Sequence, residues 1–262
     1  MDNQSLAFKP PLRHPSFRTV AELLKPITWF PPMWAFACGV IASGVSVANH
    51  WHLLLAGVIL AGPMVCAASQ AINDWFDRHV DAINEPHRPI PSGRMPGRWG
   101  LYVAIIWTGL SLLLGWFISP WAFVATLIGL ALAWAYSAPP FRLKQNGWWG
   151  NAACGLSYEG LAWFTGSAVM LGDAFPSSYS ILLALLYSVG AHGIMKDYNK
   201  PEYKFDWGWG AKEKHSMFAS VEHAGATFLN CENFTPDAAP VSFSSLIVFF
   251  YFILIIKFNV YF

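Results

Sequence analysis

An all-α, polytopic transmembrane helix bundle is the fold class this sequence predicts, on three observations. Of its 262 residues, 55% are hydrophobic and only 12% charged, with 14 Trp and 20 Phe; this is too apolar for an ordinary soluble domain. Apolar windows recur near 27–46, 51–72, 99–117, 121–137, 149–171, 179–195 and 244–262. Each is about the length of a helix that crosses a hydrocarbon core, and none shows strand-type alternation. Lys and Arg crowd every second connection, the asymmetry expected of a multi-pass chain.

Taken in order, residues 1–26 are polar and Pro-containing, with no short apolar core before a small-residue cleavage site. They are expected to stay in the cytoplasm, and the first span acts as the insertion signal. Spans one and two contain Pro31, Pro32 and Pro63, read as interior prolines whose freed carbonyls neighbouring helices satisfy. Lys9, Arg13, Arg18 and Lys25 precede the first span; Arg78, Arg88, Arg94 and Arg98 lie between the second and third; Arg142 and Lys144 follow the fourth; five lysines from Lys196 to Lys214 follow the sixth. The connections near 47–50, 118–120 and 172–178 carry no Lys or Arg. These basic loops are therefore predicted to be cytoplasmic. Lys257 alone departs from the pattern, near the outer end of the last window, where it can snorkel to the interface. The result is a bundle of about seven spans: residues 27–195 form its main body, 196–243 a polar atypical segment and 244–262 an apolar C-terminal segment.

Cys38, Cys66, Cys154 and Cys231 are isolated, so neither a zinc site nor a disulfide framework is expected. The net charge of +1 argues for no nucleic-acid partner; basic residues beside a membrane attract acidic headgroups or phosphorylated substrates.

Chemistry concentrates in Asn73-Asp74-Trp75-Phe76-Asp77-Arg78-His79-Val80-Asp81. Asn73, Asp77 and Asp81 recur every four residues, which stacks them along one helical face. Three hard oxygen donors without His or Cys suit Mg²⁺ shared with a phosphate better than zinc or copper. In a soluble protein the same spacing reads as a solvated face, but carboxylates beside a bilayer are costly and functional by default. The loop from Asp81 to Arg98 then alternates acidic residues with guanidinium groups, the outline of a diphosphate site. Here Arg88 or Arg94 supplies a bidentate fork to the anion that the metal bridges, unless these arginines serve topology alone. Trp75, Trp134, Tyr136 and Trp163 are candidate aromatic walls for a developing carbocation, with packing or an interface belt as the plainer alternative.

The run N-D-W-F-D-R-H-V-D-A-I-N-E-P-H-R-P-I-P-S-G resembles the first Asp-rich motif of the UbiA-type intramembrane prenyltransferases, in the branch that esterifies chlorophyll-type pigments. Tyr136-Ser137-Ala138-Pro139-Pro140-Phe141-Arg142-Leu143-Lys144, Asn146-Gly147-Trp148 and Ser157-Tyr158-Glu159-Gly160-Leu161 are similar to further segments of that branch. The resemblance covers residues from about 20 to 195. It implies transfer of a geranylgeranyl or phytyl group from its diphosphate to the propionate of a (bacterio)chlorophyllide, with Mg²⁺, at the cytoplasmic or intracytoplasmic photosynthetic membrane. It also implies Asn73, Asp77, Asp81 and Asp197 as metal-binding catalytic residues, and Lys25, Arg88, Tyr136, Arg142, Lys144 and Glu202 as substrate-binding residues. The partners are an isoprenoid diphosphate, the pigment acceptor and the lipid bilayer. Another aromatic prenyltransferase acting on a quinone precursor, and a non-catalytic pigment- or lipid-binding bundle, are the alternatives.

After Met195 the resemblance weakens. The branch carries a second motif of the form D-F-K-x-x-E-G-D and about nine spans. Asp197 and Glu202 keep its five-residue offset, but Lys204 occupies the final Asp position, Asp206 lies two residues farther on, and Pro201 hinders helical continuation. Residues from about 207 to 243 have no periodic apolar face and read as loop. A replaced or frame-shifted C-terminus and a divergent one account for this pattern equally.

Overall fold

A computed structural model describes residues 14–172 and 174–198, with side chains through residue 192. The described residues are helical, with no strand among them. A short helix, α1 (Phe17–Leu23), starts at Ser16, whose Oγ accepts from the Thr19 amide at 3.2 Å. After a 3₁₀ turn at Pro26–Trp29 comes α2 (Phe30–Ala42). Pro31 and Pro32 are therefore not interior: they stand in the first turn, where an amide has no helical acceptor and its loss costs nothing.

The next helix is continuous from Trp51 to Asn84. It is built of α3 (Trp51–Ile59), a π-helical stretch at Leu60–Cys66 that contains Pro63, and α4 (Ala67–Asn84). Proline cannot donate within the ladder, and the helix widens around it. The Pro63 carbonyl itself accepts from the Trp107 indole at 3.0 Å, so a neighbouring helix supplies a partner, as buried backbone requires. Helices α5 (Trp99–Ile118) and α6 (Pro120–Ser137) form a tight antiparallel hairpin around Ser119, which caps α6 through the Ala122 amide while Pro120 takes the first position. Asn146 caps α7 (Gly147–Cys154), accepting from the amides of Trp148 and Trp149. A second π-helical stretch, Gly155–Gly160, leads into α8 (Leu161–Leu171), and α9 (Ser178–Tyr198) follows.

The predicted apolar windows within the described residues fall on helix, except that the first, 27–46, is helical only as far as Ala42. By length and composition, Trp51–Asn84, Trp99–Ile118 and Pro120–Ser137 are long and apolar enough to cross a membrane, while Pro26–Ala42 and Ser178–His192 are apolar but shorter. The window at 244–262 and the polar segment before it lie outside the described residues. Large apolar side chains face outward along α5 (Ile105, Ile106, Leu110, Leu113), α6 (Leu127, Ile128) and α9 (Leu182, Leu185, Leu186, Val189). Such a belt is a liability in water and the natural surface toward lipid. Inside, small residues let backbones meet: a Cβ on Gly39 of α2 would lie 1.9 Å from the Trp163 carbonyl oxygen, and one on Gly166 of α8 would lie 2.1 Å from that of Phe36. Ser167 Oγ donates to the Gly39 carbonyl at 2.8 Å across the same contact.

The carboxylate motif is placed by α4, whose other face is sealed in a core. Ala67, Ala71 and Ile72 pack with Leu23 and Leu24 near α1, Met95 of the 85–98 connection, and Val103 and Ala104 of α5. That packing leaves Asn73 and Asp77 turned toward the end of α6 and the 138–146 connection, and Asp81 toward Arg88 of the 85–98 connection.

Candidate active site

Successive turns of α4 carry Asn73, Asp77 and Asp81, and all three are buried. Asp74 joins them: at i, i+3 and i+7 it shares a sector of the helix with Asp77 and Asp81, and it is only 2% exposed. The sequence reading passed over it because it kept a strict spacing of four, whereas a helical face also admits a spacing of three.

Cations converge on these side chains from three connections. Lys25 Nζ lies 3.0 Å from Asp74 Oδ1. Arg88 Nη1 reaches Asp74 Oδ1 at 3.4 Å and Asp81 Oδ2 at 3.3 Å. Lys144 donates to Asp77 and, at 3.2 Å, to Asn73 Oδ1, which also accepts from Ser137 Oγ at 3.4 Å. Arg142 Nη2 stands 3.9 Å from Asp77 Oδ1. Lys25, Arg88, Arg142 and Lys144, assigned to substrate from the resemblance, are thus gathered at one place. Burial pulls the Lys144 ammonium below its ordinary range, although the Asp77 carboxylate opposes that shift.

The backbone is bent to deliver two of these groups. Lys25 and Arg142 are the described non-glycine residues with positive φ, at 48° and 40°. Left-handed geometry costs a side-chain-bearing residue about 1–2 kcal/mol, and such strain clusters at functional sites. Both positions stand immediately before a short 3₁₀ stretch, Pro26–Trp29 and Leu143–Gln145, and bring a cation to α4.

Arg94 is placed elsewhere. Its guanidinium grips both carboxylate oxygens of Glu22 and donates to the His87 carbonyl at 2.6 Å; hydrogen bonding to Arg94 holds the Glu22 carboxyl below its usual range. Of the two arginines proposed for the anion, Arg88 points to the carboxylates and Arg94 ties the 85–98 connection to α1.

Among the described residues, no three His, Cys, Asp or Glu side chains stand in a metal-ligand arrangement; cations hold the carboxylates instead. The donor set nonetheless fits a hard divalent ion. It consists of oxygens alone, and Asp74 Oδ2 is buried with no hydrogen-bond partner, a costly condition that a ligand would relieve. With three Asp and four cations in contact, the cluster carries an excess of positive charge, suited to a polyanion. The backbone of Asp197 falls near the end of α9, but its side chain, like Glu202, lies outside the described residues.

An apolar cavity shares α4 and α6 with this cluster, though none of the cluster's charged side chains lines it. Tyr136, next to Ser137, lines it with Ser69, Tyr158, Val65, Gly129, Leu161 and other small or aliphatic residues of the π-helical stretches, α6 and α8. Three of its polar side chains are occupied by protein: the Tyr158 hydroxyl pairs with Ser69 Oγ at 2.8 Å and accepts from Gln70 Nε2 at 3.2 Å, and Thr165 Oγ1 donates to the Leu161 carbonyl at 2.6 Å. Of the four aromatic candidates, only Tyr136 is in the wall. Trp75 carries the Arg78 guanidinium on its face at 4.3 Å, Trp134 packs edge-on against Phe76, and Trp163 is buried with its indole donating to Ser180 Oγ at 3.2 Å. Their faces are used in packing, and Tyr158, inside a segment quoted for its resemblance, takes the wall position instead.

A helical membrane bundle whose carboxylate–cation cluster and apolar cavity are both carried on α4 and α6 is the class of protein that fold and site define. Residues 29–212 match the UbiA prenyltransferase family, and the chain belongs to it. It is 58% identical over 183 residues to the bacteriochlorophyll synthase 33 kDa chain of Rhodobacter capsulatus, an alignment covering 69% of this chain and 60% of that relative. It is 41% identical over 191 residues to the chloroplastic chlorophyll synthase of Oryza sativa subsp. japonica, covering 66% of this chain and 48% of the other. The chain therefore spans about 60% or less of the length of these relatives. Among solved structures, a UbiA homolog from Archaeoglobus fulgidus bound to GPP and Mg²⁺ superposes with a TM-score of 0.57 at 20% identity, over 92% of this chain and 86% of that one, which establishes the shared fold.

Proposed function

We propose that the chain serves the esterification step of (bacterio)chlorophyll synthesis, transferring a geranylgeranyl or phytyl group from its diphosphate to the propionate of (bacterio)chlorophyllide a with Mg²⁺. The observation that carries this reading is that α4 bears the cation-paired carboxylates one turn beyond Ser69 of the apolar cavity wall, an arrangement that suits the two ends of a prenyl diphosphate. The similarity to the bacteriochlorophyll and chlorophyll synthases supports the acceptor, and the GPP and Mg²⁺ bound to the structural neighbour support the donor and the metal.

Asn73, Asp74, Asp77 and Asp81 are the residues that would hold Mg²⁺, with Asp197 contributed from the end of α9. When bound, the ion neutralises charge on the departing diphosphate. Lys25, Arg88, Arg142 and Lys144, now paired with carboxylates, are positioned to exchange those partners for phosphate oxygens, where fixed positive charge stabilises the growing charge of the leaving group. The acceptor propionate is ionised at neutral pH, so the site needs no strong protein base. Tyr136 and Tyr158 present ring faces where an allylic carbon develops positive charge. The apolar wall excludes water, which would otherwise compete with the propionate.

Acceptor competition tests the reading. Offered chlorophyllide a and a quinone precursor together with geranylgeranyl diphosphate and Mg²⁺, the chain is expected to direct whatever prenyl group it transfers to the pigment. The altered second motif limits the rate of that transfer without changing its target. Prenylated quinone precursor with no esterified pigment overturns the assignment.

The cluster is assigned to the cytoplasmic face of the inner or intracytoplasmic membrane, because the loops at 73–98, 138–148 and 196–214, with the N-terminal segment, hold every Lys and Arg except Lys257. Single cysteines placed in each of these loops, in a chain stripped of its native cysteines, are expected to react with an impermeant thiol reagent only after the membrane is opened. Labelling of the 138–148 loop in intact cells refutes this orientation.

A further inference from the structure

Most buried glycines of the bundle are demanded by packing. A Cβ on Gly39, Gly155 or Gly166 would strike backbone at 1.9, 2.7 or 2.1 Å. Gly129 of α6 is buried but different: a Cβ there would meet only Leu161 Cδ1 at 3.7 Å and Val65 Cγ1 at 4.0 Å, ordinary contact distances. Gly129, Leu161 and Val65 all line the apolar cavity. Three walls thus come together at one level, and no steric requirement of the fold explains the missing side chain.

We propose that Gly129 sets the length of prenyl chain the cavity accepts, by keeping open the passage between Val65 and Leu161. The inference rests on the prenyl diphosphate reading of the site and deepens it. Ser137, which hydrogen-bonds Asn73, marks the head-group end of α6, and Ala125 is the cavity-lining residue of α6 farthest from it in sequence. At 1.5 Å per residue the two are about 18 Å apart, and Gly129 lies about 12 Å from Ser137, some two thirds of the way down. A four-unit chain that fills the cavity passes Gly129, and a two-unit chain of half that length stops above it. A side chain at this position divides the cavity and leaves its upper part and the cation cluster intact.

The test uses the full chain in detergent or proteoliposomes with Mg²⁺, measuring equilibrium binding of geranyl, farnesyl and geranylgeranyl diphosphates to the unsubstituted protein and to Gly129→Ala, Gly129→Leu and Gly109→Leu. Gly109 is exposed on α5 with nothing within 4 Å of a Cβ, so its variant controls for added bulk. Gly129→Leu is expected to weaken geranylgeranyl diphosphate at least about tenfold relative to geranyl diphosphate, since every methylene turned out of the cavity loses its apolar burial. Gly129→Ala, a minimal change that the surroundings admit, should show a smaller shift in the same direction, and Gly109→Leu none. An unchanged ratio of affinities, or equal weakening at every chain length, overturns the role of Gly129 while sparing the functional reading. Failure of the unsubstituted chain to bind any prenyl diphosphate overturns both.

Discussion

Asp77→Ala and Asp81→Ala are each expected to abolish Mg²⁺-dependent binding of an isoprenoid diphosphate, a loss of at least about a hundredfold if they ligate the metal directly, since even groups behind a metal ligand cost about 10–100-fold. Asp81→Ala is the cleaner variant, because Arg88 keeps Asp74 as a second partner at 3.4 Å. Asp77→Ala strips Lys144, whose side chain is 7% exposed, of its carboxylate. A buried charge abandoned in this way destabilises by about 3–5 kcal/mol. The pair Asp77→Ala/Lys144→Met removes both charges, so membrane insertion and thermal stability should recover while binding stays lost. Titration with labelled geranylgeranyl diphosphate, with and without Mg²⁺, provides the measurement; wild-type affinity in both single variants refutes the assignment.

Exchange of residues 196–262 for the closing segment of an intact relative is expected to convert weak or absent pigment esterification into robust turnover. The physical reason is the charge at position 204: Lys204 stands where the resemblance expects a carboxylate. A cation there repels Mg²⁺ and at best pairs with phosphate. The first motif and the cavity, by contrast, are assembled entirely from residues before 195. Formation of esterified pigment from chlorophyllide and geranylgeranyl diphosphate is the readout. Robust turnover by the unsubstituted chain refutes the prediction and shows that Asp197, with Asp206, suffices for the second half of the site.

The two outcomes separate two ways in which a site of this kind fails. Without the first motif the diphosphate has no metal to share. Without the second, the cations that now sit on Asp74, Asp77 and Asp81 keep their protein partners, because exchange toward phosphate must offset the loss of well-made ion pairs. Lys144 is the residue where this balance is tightest, since it bonds both Asn73 and Asp77 from a buried position.

Much of this protein was legible in one dimension. Apolar windows located the helices because a segment in lipid must satisfy its own backbone, so length and hydropathy suffice without knowledge of neighbours. The spacing of Asn73, Asp77 and Asp81 placed them on one face because helical periodicity is local. The basic loops that supply Lys25, Arg88, Arg142 and Lys144 were likewise visible as charge, and their resemblance to family segments marked most of them for the substrate. What the tertiary structure decided was which partner each group meets. Arg88 and Arg94 lie six residues apart in one loop, yet Arg88 turns to Asp74 and Asp81 while Arg94 closes on Glu22, 72 residues away in sequence. Trp163 and Tyr158 sit on neighbouring turns, yet one indole is spent on Ser180 and the other ring faces the cavity. Gly129 reads like any helical glycine until the walls at Val65 and Leu161 are brought beside it. Periodicity and hydropathy are properties of a segment, whereas pairing and cavity shape depend on contacts between segments far apart in the chain, and those exist only once the helices have packed.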